Sequence, residues 1–600
     1  MTGAALTWQL LRDLEPSEFE TAGDGWHEVS GRADSDRVKT DRVMTAGLRE
    51  TQQGEAANGA LARLERLSRN FQYIHTEAGL IRTALNGLAA ELAVPRKQLL
   101  EALEDARSLK FTVHEDGSVS YPAAVGETLL GEEEAPGGTA RGSGRLPLEA
   151  PGPNERPGLP TGRFLPNPHA AKAQGIADGI ARAVRAAAEI DGRYATALGK
   201  LGAARGLDVT EATMDDAFRD TAVVRSTAST YLGHGIPWDR TPAERKEWWD
   251  ALTEEQRQEY LEVAPDLVGN LDGIPAVARD EANRNYLPVL IGDVEQRGGE
   301  AARTKLDALR ELRDKLNEPT KVPMYLLGIG DEGNGRAIVA YGNPDTSRNV
   351  STYVPGLGTK LDKDFVDDTL KRGMDTAKGA RKFDASSAAI VWLGYDAPQH
   401  VDVMGKGDAE KGAPAYNSFM RGLEATNESE DPHLTAIGHS YGSLTVGTAA
   451  QRVGGIPGAD DIILLGSPGT GVGKAADLGV GKEHVFVGAA DNDPVTKLPA
   501  KQQGVLAAPA LVPGGPLLTY VAGDIADRRD DDLYFGKDPA SAAYGARRFE
   551  VDDGPRPIRD LGGFDAHSQY FTPEKDDVSA RNIALIVSGN SEEIKTEEWR

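Results

Sequence analysis

The stretch from His433 to Gly447, HLTAIGHSYGSLTVG, holds the residues whose types and spacing best suit nucleophilic chemistry. A short apolar run leads into Gly438 to Gly442 (GHSYG), and small residues in a helical pattern follow. This pattern predicts a strand, a sharp turn and a helix, with Ser440 at the turn. A serine hydroxyl reacts when it stands clear of the backbone and within reach of a base. Glycines two positions before and after it let neighbouring chain pass close by.

The base that such a serine needs is predicted from the order of residues along the chain. Folds with this strand–turn–helix arrangement, called a nucleophile elbow, place Ser first in the chain, then Asp or Glu, then His. Two of the ten histidines follow Ser440. His484 begins an apolar strand, at the wrong end of the sheet, whereas His567 lies in a loop before the last helix. We therefore predict His567 as the base, and we expect His439 to point elsewhere on the turn.

The carboxylate that orients the base is expected shortly after a late strand. The apolar strand 484–487 is followed by DNDPV, residues 491–495. Asp493 fits this position better because a proline and a valine follow it directly, and Asp491 is the alternative. A turn-capping aspartate is the structural alternative for either residue.

The negative charge that develops on an attacked carbonyl oxygen needs preset backbone N–H donors. We predict Tyr441, the residue after the serine, as one donor. The second donor is predicted in the loop after the strand that ends in Trp392–Leu393, from Gly394 or Tyr395. Tyr395, Tyr441 and Tyr570 are candidates for contacting the substrate, with packing at the rim of the pocket as the alternative.

The elements that must position these residues change character along the chain. Leucines and other apolar residues that recur at helical spacing dominate the first part, and a segment dense in proline and glycine interrupts this pattern. Apolar runs that alternate with helical patterns then predict a mostly parallel sheet with helices on both faces, whose ligands bind at the carboxyl ends of the strands. The predicted parts are a helical domain (1–121), a linker (122–168), a helical domain (169–320) and an α/β catalytic domain (321–600).

Two local features of the helical parts carry predictions of their own. Pro95 predicts the start of a separate short helix. Residues 267–284 (LVGNLDGIPAVARDEANR) are unusually dense in polar side chains among apolar ones. We interpret them as a buried or half-buried polar network that holds helices to the next domain, with direct substrate binding as the alternative.

Composition excludes several classes of protein. A net charge of -26 argues against a nucleic-acid partner and against binding to anionic membranes by charge alone. The absence of cysteine excludes disulfides, thiolate catalysis and cysteine-bound zinc. No apolar run has the length of a transmembrane helix, and the first residues lack a secretory signal. The default expectation is a cytoplasmic protein, with secretion independent of a signal peptide as the open alternative.

Motifs for metal and phosphate binding are missing from the sequence. No His-Glu-x-x-His occurs, and no other pair of histidines has the spacing of metal ligands. The glycine-rich stretch 469–474 lacks the spacing of a P-loop and the Ser or Thr after its lysine. We expect neither a metal nor another cofactor.

Five segments in this order resemble the actinobacterial alpha/beta-hydrolase domain family, long described as a domain of unknown function. They are WLGYDAP (392–398), GHSYGS (438–443), LLGSPGTGV (464–472), DPV (493–495) and AHSQY (566–570). The preceding helical stretch, from WWDALTEEQR to NLDGIPAVARDEANR, is similar to the region before that domain, so the resemblance covers about residues 220–590. It implies a hydrolase fold in which Ser440, Asp493 and His567 form the triad, and it implies no particular substrate.

The first 160 residues lie outside this resemblance. Gly25 and Trp26 between two helical stretches resemble the helical hairpins of the WXG family of small exported proteins, with a core tryptophan as the alternative. We predict a serine hydrolase that acts on a small ester or amide through an acyl-enzyme. The alternative is a secretion-linked or partner-binding helical protein, whose N-terminal helices dock a protein and whose hydrolase domain is vestigial or regulatory.

Overall fold

The chain forms two compact units, Met1–Gly235 and Ile236–Arg600. The computed structural model describes residues 6–128, 131–142, 167–202, 207–318, 320–400, 405–498, 531–556, 560 and 563–600. The boundary between the two units lies near residue 235, whereas the sequence predicted a domain boundary at residue 320. Of the predicted linker 122–168, residues 143–166 lie outside the described ranges, whereas strands occupy much of 122–142.

The first unit is mainly helical. Its helices are α1 (Trp8–Asp13), α2 (Pro16–Lys39), α3 (Ala46–Thr51), α4 (Glu55–Ser108), α5 (Pro168–Leu198), α6 (Glu211–Thr227) and α7 (Ser229–His234). A π-helical segment, Thr40–Thr45, joins α2 to α3. Helix α4 packs against both α2 and α5. Pro95 lies inside α4 and starts no new helix, because packing along the whole helix outweighs the lost backbone hydrogen bond.

Short antiparallel strands complete the first unit. They are β1 (Thr112–Val113), β2 (Val119–Tyr121), β3 (Ala124–Thr128), β4 (Gly131–Ala135) and β5 (Gly138–Ala140). Strands β1, β2 and β5 form a three-stranded sheet in that order, and β3 pairs with β4. Gly117 turns the chain between β1 and β2 with a φ of 77°, a conformation that glycine adopts without strain.

The second unit opens with five helices, α8 (Pro242–Ala251), α9 (Glu254–Val263), α10 (Pro265–Gly269), α11 (Ala276–Arg297) and α12 (Glu300–Asn317). The polar side chains of α11 bond directly to the first strand of the sheet. Asn283 donates to the carbonyls of Gly269 and Leu326, at 2.8 and 2.9 Å, and Asp280 accepts from the N–H of Leu326 at 2.6 Å. The prediction of a buried polar network is confirmed, and these bonds explain why the helices belong with the sheet.

An eight-stranded sheet forms the centre of the second unit. Its strands are β6 (Met324–Gly330), β7 (Arg336–Tyr341), β8 (Asn349–Val354), β9 (Ser387–Leu393), β10 (His433–His439), β11 (Ala459–Leu465), β12 (Val485–Gly488) and β15 (Arg547–Arg548). The strand order is β6-β7-β9-β8-β10-β11-β12-β15. β7 runs antiparallel to both of its neighbours, β6 and β9, and the other neighbouring pairs of strands in this sheet are parallel. The predicted mostly parallel sheet is confirmed. Strands β13 (Asp532–Leu533) and β14 (Gly536–Lys537) form a separate hairpin.

Helices cover both faces of this sheet, because successive residues of each strand point to opposite sides. Val391 and Ile437 face the core that holds α12, α13 (Leu370–Ala380) and α17 (Asp577–Val587). Their neighbours Ile390 and Ala436 face the core that holds α14 (Gly407–Thr426) and α15 (Gly442–Ala450). A single helical turn, α16 (Asp565–Ser568), precedes α17. None of the helices within the described ranges has the length and apolar character that a membrane crossing requires.

Candidate active site

Ser440 lies at a strained turn between β10 and α15, where the sequence predicts it. Its φ is 58°, and it is one of two described non-glycine residues with a positive φ. Such a conformation persists only when the surrounding structure enforces it. The Ser440 N–H donates to the carbonyl of Leu465 on the neighbouring strand, at 2.9 Å. A Cβ added to Gly442 would lie 2.0 Å from the carbonyl oxygen of Val354, so the turn requires glycine there.

His567 and Asp493 form the buried pair that the sequence predicts as base and acid. The imidazole Nδ1 of His567 lies 2.9 Å from Oδ2 of Asp493. The carboxylate is completely buried. Burial by itself raises the pKa of Asp493, but His567 and hydrogen bonds from Tyr570 and the Val495 N–H lower this pKa below its ordinary value. Asp493 is therefore held as an anion that faces the imidazole.

Asp491, the alternative acid, takes a different position. Its Oδ1 lies 3.2 Å from the guanidinium of Arg600 and 3.6 Å from that of Arg548. Arg600 also donates to the carbonyls of Ala489 and Ala490, at 3.0 and 2.8 Å. These bonds hold the segment that leads into the acid loop, and Asp491 does not meet the base.

His439 packs against the predicted base. Its ring is stacked on that of His567, with centroids 4.5 Å apart and planes inclined by 27°. Its Nε2 lies 2.8 Å from the carbonyl oxygen of His567, so this nitrogen carries the proton and donates. Burial first, and then the neighbouring His567 and Arg372, place the pKa of His439 well below its ordinary value. The ring is therefore neutral, and its face lies against the face of the predicted base.

Gly466 lies against the His567–Asp493 pair, and no prediction from the sequence singled it out. It follows β11 with a φ of 52°. A Cβ at this position would lie 2.7 Å from both Oδ2 of Asp493 and Nδ1 of His567. Any side chain would strike the atoms that join the acid to the base. A glycine directly after a predicted strand, at the edge that carries the site, was the available signal.

Gly394 and Tyr395, the predicted sources of the second oxyanion donor, lie in a loop that is not next to the turn of Ser440. These residues follow β9, and β8 lies between β9 and β10 in the sheet. The loop beside the elbow is therefore the one after β8. A Cβ on Gly356 in that loop would lie 2.7 Å from both Cβ of Ser440 and the backbone nitrogen of Tyr441. The neighbour of the elbow is set by sheet order, which differs here from chain order.

Three backbone N–H groups lie at this contact, those of Tyr441, Gly356 and Leu357. Within the described residues, the N–H groups of Tyr441, Gly356 and Leu357 make no hydrogen bond. Tyr441 and Gly356 are also buried. Buried backbone donors are almost always paired in folded proteins. Unpaired N–H groups beside a serine are suited to receive a negatively charged oxygen.

The three tyrosines predicted as candidates for contacting the substrate have buried side chains. The hydroxyl of Tyr395 donates to the carbonyl of Pro355 at 2.7 Å, and its ring stacks on Trp392. The hydroxyl of Tyr570 donates to Oδ2 of Asp493 at 2.6 Å. Both hydroxyls are therefore occupied by partners within the protein. The side chain of Tyr441 is likewise buried, and its hydroxyl bonds to the carbonyl of Gly405.

A second cluster of histidines lies at the opposite, amino-terminal edge of the sheet. His433 Nε2 and His484 Nδ1 lie 2.9 and 2.8 Å from the two oxygens of the buried Asp461. This position agrees with the expectation that His484 is at the wrong end for catalysis. Across the ranges that the structure covers, no group of three or more acidic or histidine side chains has the arrangement of a metal site.

The alpha/beta hydrolase family model matches residues 331–503, and this chain belongs to that family. The uncharacterised protein Rv0963c of Mycobacterium tuberculosis is 37% identical over 229 residues, which are 36% of this chain and 85% of that protein. The uncharacterised protein Rv2079 of the same organism is 29% identical over 388 residues, 58% of this chain and 56% of that protein. The chain thus spans just over half the length of Rv2079. The predicted actinobacterial family and hydrolase fold are confirmed.

Solved structures with a lower likeness include esterases. An esterase of the archaeon Pyrobaculum calidifontis is 13% identical, with a TM-score of 0.26, and the match covers 51% of this chain and 98% of that chain. An esterase of the fungus Rhizomucor miehei is 12% identical, with a TM-score of 0.27, over 51% of this chain and 96% of that one. At these TM-scores the likeness carries no argument about activity.

Proposed function

We propose that this protein is a serine hydrolase with Ser440 as nucleophile, His567 as general base and Asp493 as the acid that orients the base. The observation that carries this proposal is the 2.9 Å bond between His567 and a fully buried Asp493, with the ring of His567 stacked on that of His439, the residue before Ser440 on the strained turn. A base that is fixed by a buried carboxylate is what an otherwise unreactive hydroxyl needs. The order of the three residues along the chain also fits the elbow pattern.

The reaction follows from these positions. Asp493 bonds to Nδ1 of His567, so the proton of the neutral imidazole is on Nδ1 and Nε2 is free to accept. Nε2 takes the proton of Ser440 while the serine oxygen attacks a carbonyl carbon. The imidazolium then protonates the leaving group, and an acyl-enzyme forms. His567 next activates a water molecule, which releases the acid and restores the serine.

The oxyanion of each tetrahedral intermediate is held by backbone donors. Tyr441 supplies one N–H, as the residue after the nucleophile. The loop after β8 supplies the other, from Gly356 or Leu357, since these N–H groups have no partner among the described residues and the loop touches the turn of Ser440. The proposed hole replaces the predicted donors Gly394 and Tyr395.

The proposed substrate is a small ester, with an amide as the harder alternative. An alkoxide is a better leaving group than an amide anion, so an ester depends less than an amide on proton donation from the imidazolium. This choice of substrate class rests on the chemistry of the triad and on the hydrolase family alone. No cofactor takes part in the proposed reaction.

Hydrolysis of 4-nitrophenyl butyrate tests the proposal. We expect turnover by the full chain, and a loss on the order of 10,000-fold in Ser440→Ala, because triad members act as a unit. Ser443→Ala is the matched control, since Ser443 is a buried serine in the same motif whose hydroxyl bonds only to the carbonyl of Gly438. Equal activity in the Ser440→Ala and wild-type proteins would contradict the assignment.

The helical first unit is the basis of a second candidate function, which is the docking of a protein partner. Trp26 and Val29 lie one helical turn apart on α2 and are 40% and 42% exposed. Exposed apolar side chains in such an arrangement are typical of contact surfaces. In this alternative the hydrolase unit is vestigial or regulatory. It is favoured if the folded protein shows no reaction of Ser440 with an active-site probe.

A further inference from the structure

Three donors converge on the carboxylate of Asp493. Oδ2 accepts from the hydroxyl of Tyr570 at 2.6 Å and faces Nδ1 of His567 at 2.9 Å. Oδ1 accepts from the N–H of Val495 at 2.8 Å. The base and the tyrosine therefore share one carboxylate oxygen. Asp493 and Tyr570 are both fully buried, so water does not compete with either bond.

The proton of the Tyr570 hydroxyl has a defined direction. The backbone N–H of Ala490 donates to the tyrosine oxygen at 3.0 Å. The single hydroxyl proton is thereby directed to Asp493. Burial and the nearby charge of Asp493 also raise the pKa of Tyr570 far above its ordinary value. Tyr570 therefore stays a donor at every pH at which a histidine base works.

We propose that Tyr570 is a positioning residue that limits how much of the charge of Asp493 acts on His567. The hydroxyl holds Oδ2 in place and withdraws part of its negative charge. The imidazolium of His567 is stabilised by the charge that remains, so the tyrosine tunes the strength of the base as well as its orientation. This inference rests on the roles proposed above for Asp493 and His567.

Among the residues that the structure describes, few other charged or titratable groups face this cluster. His439 is stacked on His567 and is neutral. Arg372 acts on His439, and Arg600 acts on Tyr570. Both arginines keep their charge throughout the range in which histidine titrates. A change at the Tyr570 hydroxyl is therefore transmitted to His567 chiefly through Asp493.

The titration of His567, followed by NMR in the full chain labelled with 15N-histidine, tests the proposal. A His567→Gln protein identifies the signal among the ten histidines. In Tyr570→Phe we expect the titration midpoint of His567 to move to higher pH by on the order of half a unit. The Nδ1 proton resonance is expected to move further downfield, because the bond to Asp493 becomes stronger.

Tyr416→Phe is the matched control. Tyr416 is a fully buried tyrosine whose hydroxyl bonds to that of Thr352, away from the acid and the base. The Tyr416→Phe variant also loses a tyrosine hydroxyl, but one that does not contact Asp493. The His567 signal of this variant is therefore expected to match that of the wild-type protein. An unchanged midpoint in Tyr570→Phe, or an equal shift in Tyr416→Phe, would overturn the proposal.

A second substitution keeps the test decisive if Tyr570→Phe does not fold. Replacement of Tyr570 by 3-fluorotyrosine keeps the ring and the hydroxyl but makes the hydroxyl a stronger donor. We expect the His567 midpoint to move to lower pH, and an unchanged or raised midpoint would contradict the proposal. These signals are recorded without substrate. They therefore distinguish a failure of this inference from a failure of Ser440 to react.

Discussion

His439 lies flat against His567, with ring centroids 4.5 Å apart, and donates to the main-chain carbonyl of the same residue at 2.8 Å. The residue before the proposed nucleophile thus contacts the proposed base both through its ring and through a hydrogen bond. Since His439 belongs to the elbow and His567 to a separate turn, this contact joins the two halves of the proposed site.

Truncation of His439 is expected to misplace the base. In His439→Ala both the stacking and the hydrogen bond are lost, and we expect kcat/KM for 4-nitrophenyl butyrate to fall about 100-fold, because small displacements of catalytic groups are costly. His439→Phe keeps a stacked ring and should lose less than about tenfold. Steady-state kinetics of the two variants provide the comparison. Equal activities of His439→Ala and the wild-type protein would show that the contact is structural only.

A side chain at Gly466 is expected to separate the acid from the base. The Cβ of Gly466→Ala would lie 2.7 Å from both bonded atoms, and the positive φ adds strain. We expect kcat to fall at least about 100-fold. Gly473→Ala is the control, because nothing lies within 4 Å of its added Cβ. Thermal unfolding of both variants shows whether the loss in Gly466→Ala exceeds what destabilisation explains.

Loss of the Tyr395 hydroxyl is expected to weaken the oxyanion hole. This hydroxyl fixes the carbonyl of Pro355, and the N–H of Gly356 belongs to the same planar peptide. We expect Tyr395→Phe to lower kcat about tenfold and to leave KM nearly unchanged, since the donor acts mainly on the transition state. Tyr416→Phe is again the control, because its ring also packs on Trp392. A change in KM alone would contradict this role.

The histidine pair at the opposite edge of the sheet predicts a pH dependence of stability. Burial lowers the pKa of His433, but Asp461, Asp460 and a backbone hydrogen bond to Val587 together raise it more, so the folded pKa lies above the ordinary 6.5. The bond between His433 and Asp461 then stabilises the fold fully below pH 6.5, and this contribution is lost as the pH rises through the folded pKa.

The matching measurement compares wild-type and His433→Asn proteins by thermal unfolding at several pH values. We expect the difference in Tm between them to be larger at pH 5.5 than at pH 8.5. His484→Asn is a useful reference, because that side chain bonds to the other oxygen of Asp461 and is more exposed. A difference in Tm that does not change with pH would contradict the prediction for His433.

The three proposed triad residues were predictable because their signals are local. Ser440 and Asp493 each follow a strand whose pattern is visible in the sequence, His567 precedes a visible helix, and their order is characteristic of the fold. For the acid, the sequence favoured Asp493 but left Asp491 as an alternative. The choice between the two aspartates depends on where Arg548 and Arg600 lie, which no local pattern reveals.

The oxyanion loop and the domain boundary were not predictable for a different reason. β9 follows β8 in the chain, but in the sheet β8 lies between β9 and β10. The loop with Gly394, which follows β9, is therefore separated from the turn of Ser440 by one strand. Likewise, the change from helical to strand pattern at residue 321 marks a change of element and not a boundary. The bonds of Asn283 and Asp280 to β6 join the two sides.

The interior roles of Tyr395 and Tyr570 also required the structure. A tyrosine beside a site motif has the same sequence signature whether its ring lines a pocket or its hydroxyl supports a neighbour. Here the partners are the carbonyl of Pro355 and the carboxylate of Asp493, which lie 40 and 77 residues away in the chain.

Labelling with a fluorescent fluorophosphonate tests the central claim most directly. The full chain is incubated with the probe, and the modified residue is located by mass spectrometry. We predict a single modification on Ser440 that is lost in His567→Ala and retained in Ser443→Ala. Absence of labelling in the folded wild-type protein, or labelling of Ser440 that persists unchanged in His567→Ala, would contradict an activated serine at this site.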